Sequence, residues 1–167
     1  MGENARSRVD SARLATTTAE LTSEREIVIT RLFRAPRAVV FDAWTIPERV
    51  AEWWDPSRRP LASCEIDLRP NGVFRFVPQG PDGQRFAFAG RYREITRPDR
   101  LVFVTLGSPV IPSSTGTIVF EETDGTTTLT LTIECASRAD RDALLAMRVD
   151  AGTAQTLDNL AKHLTTC

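Results

Sequence analysis

The sequence has few of the residues that build metal centres or disulfide frameworks. It contains one histidine and three cysteines in 167 residues. Cys64, Cys135 and Cys167 are widely separated and form no CxxC pair. Zinc sites and disulfide scaffolds need clustered Cys or His residues, so we expect neither. A sparse, odd set of cysteines is typical of a reducing compartment and predicts a cytoplasmic protein.

The sequence also lacks a strong net charge and a long apolar run. Its 21 basic and 22 acidic residues leave a net charge of −1. This balance gives no electrostatic reason to bind nucleic acid or an anionic membrane. No segment approaches the roughly 20 apolar residues of a membrane span, and the polar N-terminus has no apolar core of a secretory signal.

Common catalytic and nucleotide-binding motifs are missing. The sequence contains no GxSxG, no Walker loop, no GxGxxG and no HExxH. His163 lies near the end of a helical pattern, where the helix dipole favours a charged imidazole. A general base there would need a partner that the sequence does not show. We therefore predict no catalytic residue, no metal and no cofactor.

One amphipathic helical pattern is present, over residues 140–164. Such a helix would be about 35 Å long at about 1.5 Å per residue, and its apolar stripe needs a broad surface to lie on. The apolar residues recur every three or four positions: Leu144, Met147, Ala151, Ala154, Leu157, Leu160 and Leu164.

The preceding chain alternates strand-length segments with turn signals. Residues 24–34 predict a strand, and Pro36 and Pro47 start two short helices, 36–43 and 47–54, the second capped by Thr45. Strands follow at 61–69, 73–78, 84–96, 100–106, 115–122 and 126–135. We expect a flexible tail over residues 1–22 and one domain over 23–167. This order predicts an α+β fold, an antiparallel sheet packed on one long helix.

Residue parity separates the two faces of the predicted sheet. One face is rich in Arg and Thr, and the other must meet the long helix. Two interpretations stay open for the apolar face: a packed core, or the wall of a cavity that binds an apolar ligand. Its members include Phe74, Phe76, Phe86, Phe88, Tyr92, Phe120 and Leu131.

Two further features, one in the second short helix and one in the first strand, need partners. Adjacent Trp53 and Trp54 cannot both face one core, so one should pack inside and the other could stack on a flat ligand at the rim. Arg31 shares the parity of the inward residues of its strand. A buried arginine needs a carboxylate or an anionic ligand. The candidate carboxylates are Glu65, Asp67 and Glu94.

Several short motifs occur together in a familiar order. They are TRLF at 30–33, AP at 35–36, VFDAW at 40–44, PE at 47–48, WW at 53–54, PDG at 81–83, GRYREI at 90–95, PDRLV at 98–102 and LDNL at 157–160. Together they resemble the family related to the activator of the Hsp90 chaperone ATPase, within the START-like or SRPBCC superfamily. The resemblance covers about residues 24–164.

The resemblance implies a helix-grip fold, in which a curved antiparallel sheet wraps around a long C-terminal helix and a hydrophobic cavity. It does not imply one activity, because relatives of this fold carry lipids, bind hormones, cyclise polyketides or act on chaperones. Family members commonly have Gly-Trp where this chain has Gly152-Thr153, which predicts more space or more polarity there.

Our leading hypothesis is a domain that binds a hydrophobic small molecule between the sheet and the C-terminal helix. Two alternatives are a polyketide cyclase- or dehydratase-like enzyme and a chaperone-ATPase-activator-like interaction module. The sequence leaves a homodimer open. The expected ligand-binding residues are Arg31, Trp53, Trp54, Phe74, Phe76, Phe86, Phe88, Tyr92, Phe120, Leu131, Met147 and Leu157.

Overall fold

The computed structural model describes residues 17–84, 86–107 and 111–165. Residues 1–16 of the expected tail lie outside these ranges. The described chain forms one eight-stranded sheet in which all neighbouring strands are antiparallel, in the order β1-β2-β8-β7-β6-β5-β4-β3. The strands are β1 (Thr18–Ser23), β2 (Glu26–Phe33), β3 (Ser63–Ile66), β4 (Val73–Val77), β5 (Phe88–Thr96), β6 (Arg100–Thr105), β7 (Ser114–Thr123) and β8 (Thr126–Cys135).

Two pairs of helices complete the fold of the described residues. Helices α1 (Arg37–Thr45) and α2 (Pro47–Trp53) connect β2 to β3, and helices α3 (Arg138–Ala146) and α4 (Val149–Thr165) follow β8. The predicted α+β helix-grip architecture is therefore confirmed. The predicted cap of α2 is wrong, because Thr45 belongs to α1 and its hydroxyl donates to the Phe41 carbonyl at 2.9 Å.

The sheet begins earlier than the sequence predicted. Residues 18–22, expected to belong to a flexible tail, lie in β1, which pairs with β2 at the edge of the sheet. All six residues of β1 are exposed. A strand with no buried face shows no alternation of apolar and polar residues, so the pattern could not reveal it.

The C-terminal helical pattern is interrupted, so the expectation of one continuous 35 Å helix was wrong. Helix α3 ends at Ala146, and Arg148 adopts a positive φ of 59° before α4 begins. Helix α4 has 17 residues, which corresponds to roughly 25 Å. No Gly or Pro marks the break, and the apolar spacing continues across it.

The inner face of the sheet is the face whose side chains are buried. It carries the alternating residues that parity predicted, with the exception of Phe86, and the core lies between this face and the four described helices. The β7–β8 hairpin turns through Asp124 and Gly125, both with positive φ, as expected for a two-residue turn. The inner-face residues include Ile27, Ile29, Phe74, Phe76, Tyr92, Phe103, Ile118, Phe120, Leu129 and Leu131.

Candidate functional site

A small cavity lies between α1 and strands β4–β7. It gives the centre of a water molecule about 20 Å³ of space, which is room for about one water. None of the side chains around it is charged. Its lining residues are Trp44, Phe74, Phe76, Phe88, Tyr92, Leu101, Phe103 and Ile118.

Two inner-face glycines let the aromatic rings lie against the sheet. A Cβ added at Gly90 would overlap the Phe74 ring and the Val104 carbonyl oxygen, and one added at Gly116 would overlap the Phe103 ring. Each ring therefore occupies the space above a glycine of a neighbouring strand. Glycine in a strand often marks such a close approach.

Trp54 and Phe88 form the partly exposed edge of the aromatic cluster. Both side chains are half-buried, and their ring centroids are 5.0 Å apart. The Trp54 ring also meets the Phe76 ring edge-on at 4.9 Å. Trp53 is the inward member of the tryptophan pair, and its Nε1 donates to the Ala43 carbonyl at 3.0 Å. The two tryptophans thus divide between core and edge as helical spacing predicted.

Trp44 and Tyr92 are the lining residues that carry polar side-chain atoms. Trp44 is 7% exposed, and its buried Nε1 finds no acceptor among the described residues. A buried donor without a partner loses its hydration and gains nothing in exchange. Burial raises the pKa of the Tyr92 hydroxyl, with a further contribution from Cys64. Tyr92 is therefore a neutral hydroxyl at physiological pH.

The structure corrects the predicted set of lining residues. Phe86 is 63% exposed and Met147 is 43% exposed, so neither belongs to the buried inner face. Phe86 precedes β5, and Met147 lies at the break between α3 and α4. Phe74, Phe76, Phe88 and Tyr92 do line the cavity, whereas five predicted residues are buried or half-buried elsewhere: Trp53, Trp54, Phe120, Leu131 and Leu157.

Four lining residues are absent from the expected ligand-binding set. Strand parity puts Ile118 on the apolar face beside Phe120, and it could also have found Leu101 and Phe103, because each alternates with outward-facing neighbours. The sequence offers Trp44, with Trp53 and Trp54, as a residue that could stack on a ligand at a cavity mouth, but only the crossing of α1 over β4–β7 brings it against this cavity. The predicted location also needs correction, because α4 contributes none of the lining residues.

Arg31 is buried, but its partner is not one of the strand carboxylates proposed from the sequence. Its Nη1 donates to the Asp158 carboxylate of α4 at 2.7 Å. The Arg31 side chain is 6% exposed and that of Asp158 is 42% exposed. The ion pair therefore connects α4 to β2, with Arg31 on the buried side and Asp158 accessible to water. It lies outside the cavity, so Arg31 is not among the residues that could contact a ligand there.

Further polar contacts hold α4 against α2. The hydroxyl of Thr156 donates to the Trp54 carbonyl at 3.2 Å, and Nδ2 of Asn159 donates to the Asp55 carbonyl at 3.0 Å. These carbonyls follow the last turn of α2, where helical partners run out. His163 of α4 also contacts α2, because its Nδ1 lies 3.2 Å from Oε2 of Glu52. His163 thus has a structural contact and is not among the cavity-lining residues.

No group of three or more His, Cys, Asp and Glu side chains within the described ranges is placed to hold a metal ion. In the same part of the chain, no helix is both long and apolar enough to cross a membrane.

The fold and the inner-face cavity define a helix-grip domain of the START-like class. The chain belongs to the family described as activator of Hsp90 ATPase homolog 1-like proteins, whose model matches residues 34–165. No curated protein matches the sequence. The family membership confirms the resemblance that the sequence motifs showed.

Solved structures share this fold across nearly their whole length. A protein of Nitrosomonas europaea is 26% identical, with 87% of this chain and 97% of that chain covered and a TM-score of 0.77. A Mycobacterium smegmatis protein is 24% identical over 91% and 98% of the two chains, with a TM-score of 0.79. An HSP90 activator from Plasmodium falciparum is 24% identical over 84% and 96%, with a TM-score of 0.65.

Proposed function

We propose that this domain binds a small hydrophobic molecule in the cavity between α1 and strands β4–β7. The observation that carries the proposal is the lining: eight residues, all apolar or aromatic, converge on one space. Ligand sites are typically apolar cavities with a few polar groups that fix orientation. Trp44 and Tyr92 supply polar groups of this kind.

A ligand larger than water must displace a side chain. Seven of the eight lining residues are buried, and Phe88 is the half-buried exception. Phe88 is the first residue of β5, and its inner neighbour Phe76 faces it across the β4–β5 ladder. Outward rotation of Phe88 would free about the volume of one aromatic ring. This rotation costs free energy, so only a fraction of the molecules have Phe88 rotated outward. The apparent affinity equals the affinity of that open state multiplied by this fraction.

Native mass spectrometry before and after solvent extraction tests the proposal. We expect freshly purified protein to carry extra mass that extraction removes. If the mass is that of the bare chain, added toluene at increasing concentration should still form a complex. A bare chain that also takes up no toluene would contradict the proposal.

Two phenylalanine variants locate the binding space. Phe88→Ala should remove a cavity wall, lower the free energy of unfolding by about 2 kcal/mol and change the affinity for toluene. Phe86→Ala is the matched control, because Phe86 is two residues away but 63% exposed. We expect little change in either property for Phe86→Ala. Equal effects of the two substitutions would place the binding space elsewhere.

The family match favours a second candidate function, action on an Hsp90-type chaperone. This candidate needs a protein-binding surface and makes no demand on the cavity. The ATPase rate of a purified Hsp90, measured with increasing amounts of this domain, tests it. An unchanged rate, with no complex in sedimentation, would remove it.

The cyclase- or dehydratase-like alternative needs a general acid and a general base in the cavity. Among the lining residues, Tyr92 carries the one ionisable side chain. Arg31 is paired with Asp158, and Glu94 pairs with Arg100 at 3.5 Å. No contact in the described structure favours this alternative over simple binding.

A further inference from the structure

We infer that the cavity selects neutral one-ring aromatic molecules that carry a carbonyl group, with Trp44 Nε1 donating a hydrogen bond to the carbonyl oxygen. This inference rests on the proposed function, since it names the class of molecule that the same cavity would take. It depends on three observations: an orphaned donor, an uncharged lining and a limited volume.

The orphaned donor is the indole N–H of Trp44. The neighbouring Trp53 satisfies its own Nε1 with the Ala43 carbonyl, so the helical environment does offer acceptors to an indole. Trp44 Nε1 is buried and meets none among the described residues, although Trp44 lines the cavity. An acceptor brought by a ligand would remove the desolvation penalty of this group. An indole can only donate, so the matching ligand atom is an acceptor such as a carbonyl oxygen.

The lining sets the charge of the ligand. The described walls contain no Lys, Arg, Asp or Glu, and an ion moved into such a space would lose its hydration without gaining a counter-charge. The second polar side chain, Tyr92, is a neutral hydroxyl that can donate or accept. These walls therefore favour a neutral molecule with one or two polar atoms.

The volume and the shape of the walls set the size of the ligand. With Phe88 in its present position the cavity holds about one water, and outward rotation of Phe88 would add about the volume of one ring. The rings of Phe74, Phe76 and Phe103 would then face the ligand. Aromatic side chains prefer edge-on or offset contacts with another ring. The cavity thus suits a single flat ring with a short substituent.

Acetophenone and ethylbenzene form a matched pair of probes, because they differ mainly in the carbonyl oxygen. Titration followed by heteronuclear NMR of the tryptophan indole N–H signals gives both affinity and contact. We expect acetophenone to bind roughly ten-fold more tightly than ethylbenzene. The Trp44 N–H signal should move downfield with acetophenone alone, while the Trp53 N–H signal, already hydrogen-bonded, should hold its position.

Each outcome decides a different question. If both probes bind with equal affinity, or the Trp44 signal ignores bound acetophenone, the assignment of Trp44 is overturned and the cavity stands. If neither probe binds, the ligand class and the proposed cavity are both overturned. Trp44→Phe should bring the ratio of the two affinities close to one, whereas Tyr92→Phe should preserve the preference. The wild-type titration decides the matter even if a variant fails to fold.

Discussion

Two regions of the sheet's inner face are covered in different ways. Over β4–β6, which we term the aromatic half, rings pack on rings and on the strand glycine Gly90. Over β2, which we term the helix half, α4 is fastened by the Arg31–Asp158 ion pair and by hydrogen bonds from Thr156 and Asn159 to the end of α2.

The difference bears on where the ligand of the proposed function would enter. In the aromatic half, rotation of one ring breaks no hydrogen bond and costs mainly dispersion contacts. In the helix half, moving α4 would leave Arg31 buried without its carboxylate, which is costly. The aromatic half is therefore the part of the fold suited to open, and the helix half is the part suited to stay closed.

Gly90→Ala is expected to have the largest effect, because it attacks the packing of the aromatic half directly. The added Cβ would overlap the backbone oxygen of Val104 and the ring of Phe74. Backbone atoms cannot move aside cheaply, so we expect a loss of about 3 kcal/mol or more in the free energy of unfolding. Urea denaturation measures this loss. A loss below about 1 kcal/mol would show that the Phe74 ring can move away from the added Cβ at little cost.

Asp158→Ala tests the helix half. Arg31 would remain buried without its carboxylate partner, and we expect a loss of about 2 kcal/mol, less than for a fully buried pair because water reaches Asp158. Glu94→Ala is the control, since both side chains of the Glu94–Arg100 pair are exposed to solvent. That variant should lose under about 1 kcal/mol. Equal losses would mean that α4 is not held by this ion pair.

Cys64, which lies in β3 and pairs with Phe76 of the aromatic half, gives the stability of the fold a dependence on alkaline pH. Burial, with smaller contributions from Glu48 and Glu65, raises the pKa of the Cys64 thiol to about 11. Between the ordinary thiol pKa and 11, the unfolded chain loses this proton while the folded chain keeps it. Stability therefore falls as the pH rises through that range.

We expect this fall to be roughly 1 kcal/mol, because solvent screening reduces the effect at a partly exposed thiol. The measurement is urea denaturation at pH 8 and pH 11 for the wild type and Cys64→Ser. The variant lacks the thiol, so its stability should fall by less. Identical falls would show that the thiol ionises equally in both states.

Gly152→Ala should have the smallest effect, and in the opposite direction. A Cβ added at this position of α4 meets nothing within 4 Å. Alanine is favoured over glycine inside a helix, so we expect a gain of about 0.5–1 kcal/mol. Thermal unfolding would detect it as a rise in Tm. A decrease in Tm would mean that a side chain at position 152 meets neighbouring atoms that the backbone geometry does not show.

Much of the fold could be predicted because its signals are local. Alternation identified both faces of β8, and the first and last residues of this strand match the predicted 126–135 segment. The edge strand β1 could not be predicted, since neither of its faces is buried. The break at Arg148 could not be predicted either, because a positive φ at a non-glycine residue is imposed by its surroundings and leaves the apolar spacing unchanged.

The candidate site was predictable only in part. Parity placed Phe74, Phe76 and Tyr92 on the right face, and it could equally have included Phe103. Phe86 was assigned to the same face, but the strand begins after it, at Phe88. Alternation says which way a residue would point in a strand, and cannot say where hydrogen bonding to the neighbouring strand starts.

By itself, the sequence determined the order of most of the elements, the apolar face and the inward parity of Arg31 on it, because these follow from side-chain type and spacing. The tertiary structure decided which carboxylate meets Arg31, that α1 and not α4 covers the cavity, and that the Trp44 indole N–H is left without an acceptor. Each of these depends on contacts between segments far apart in the chain. Such contacts are set by the packing of the whole domain, and no local spacing records them.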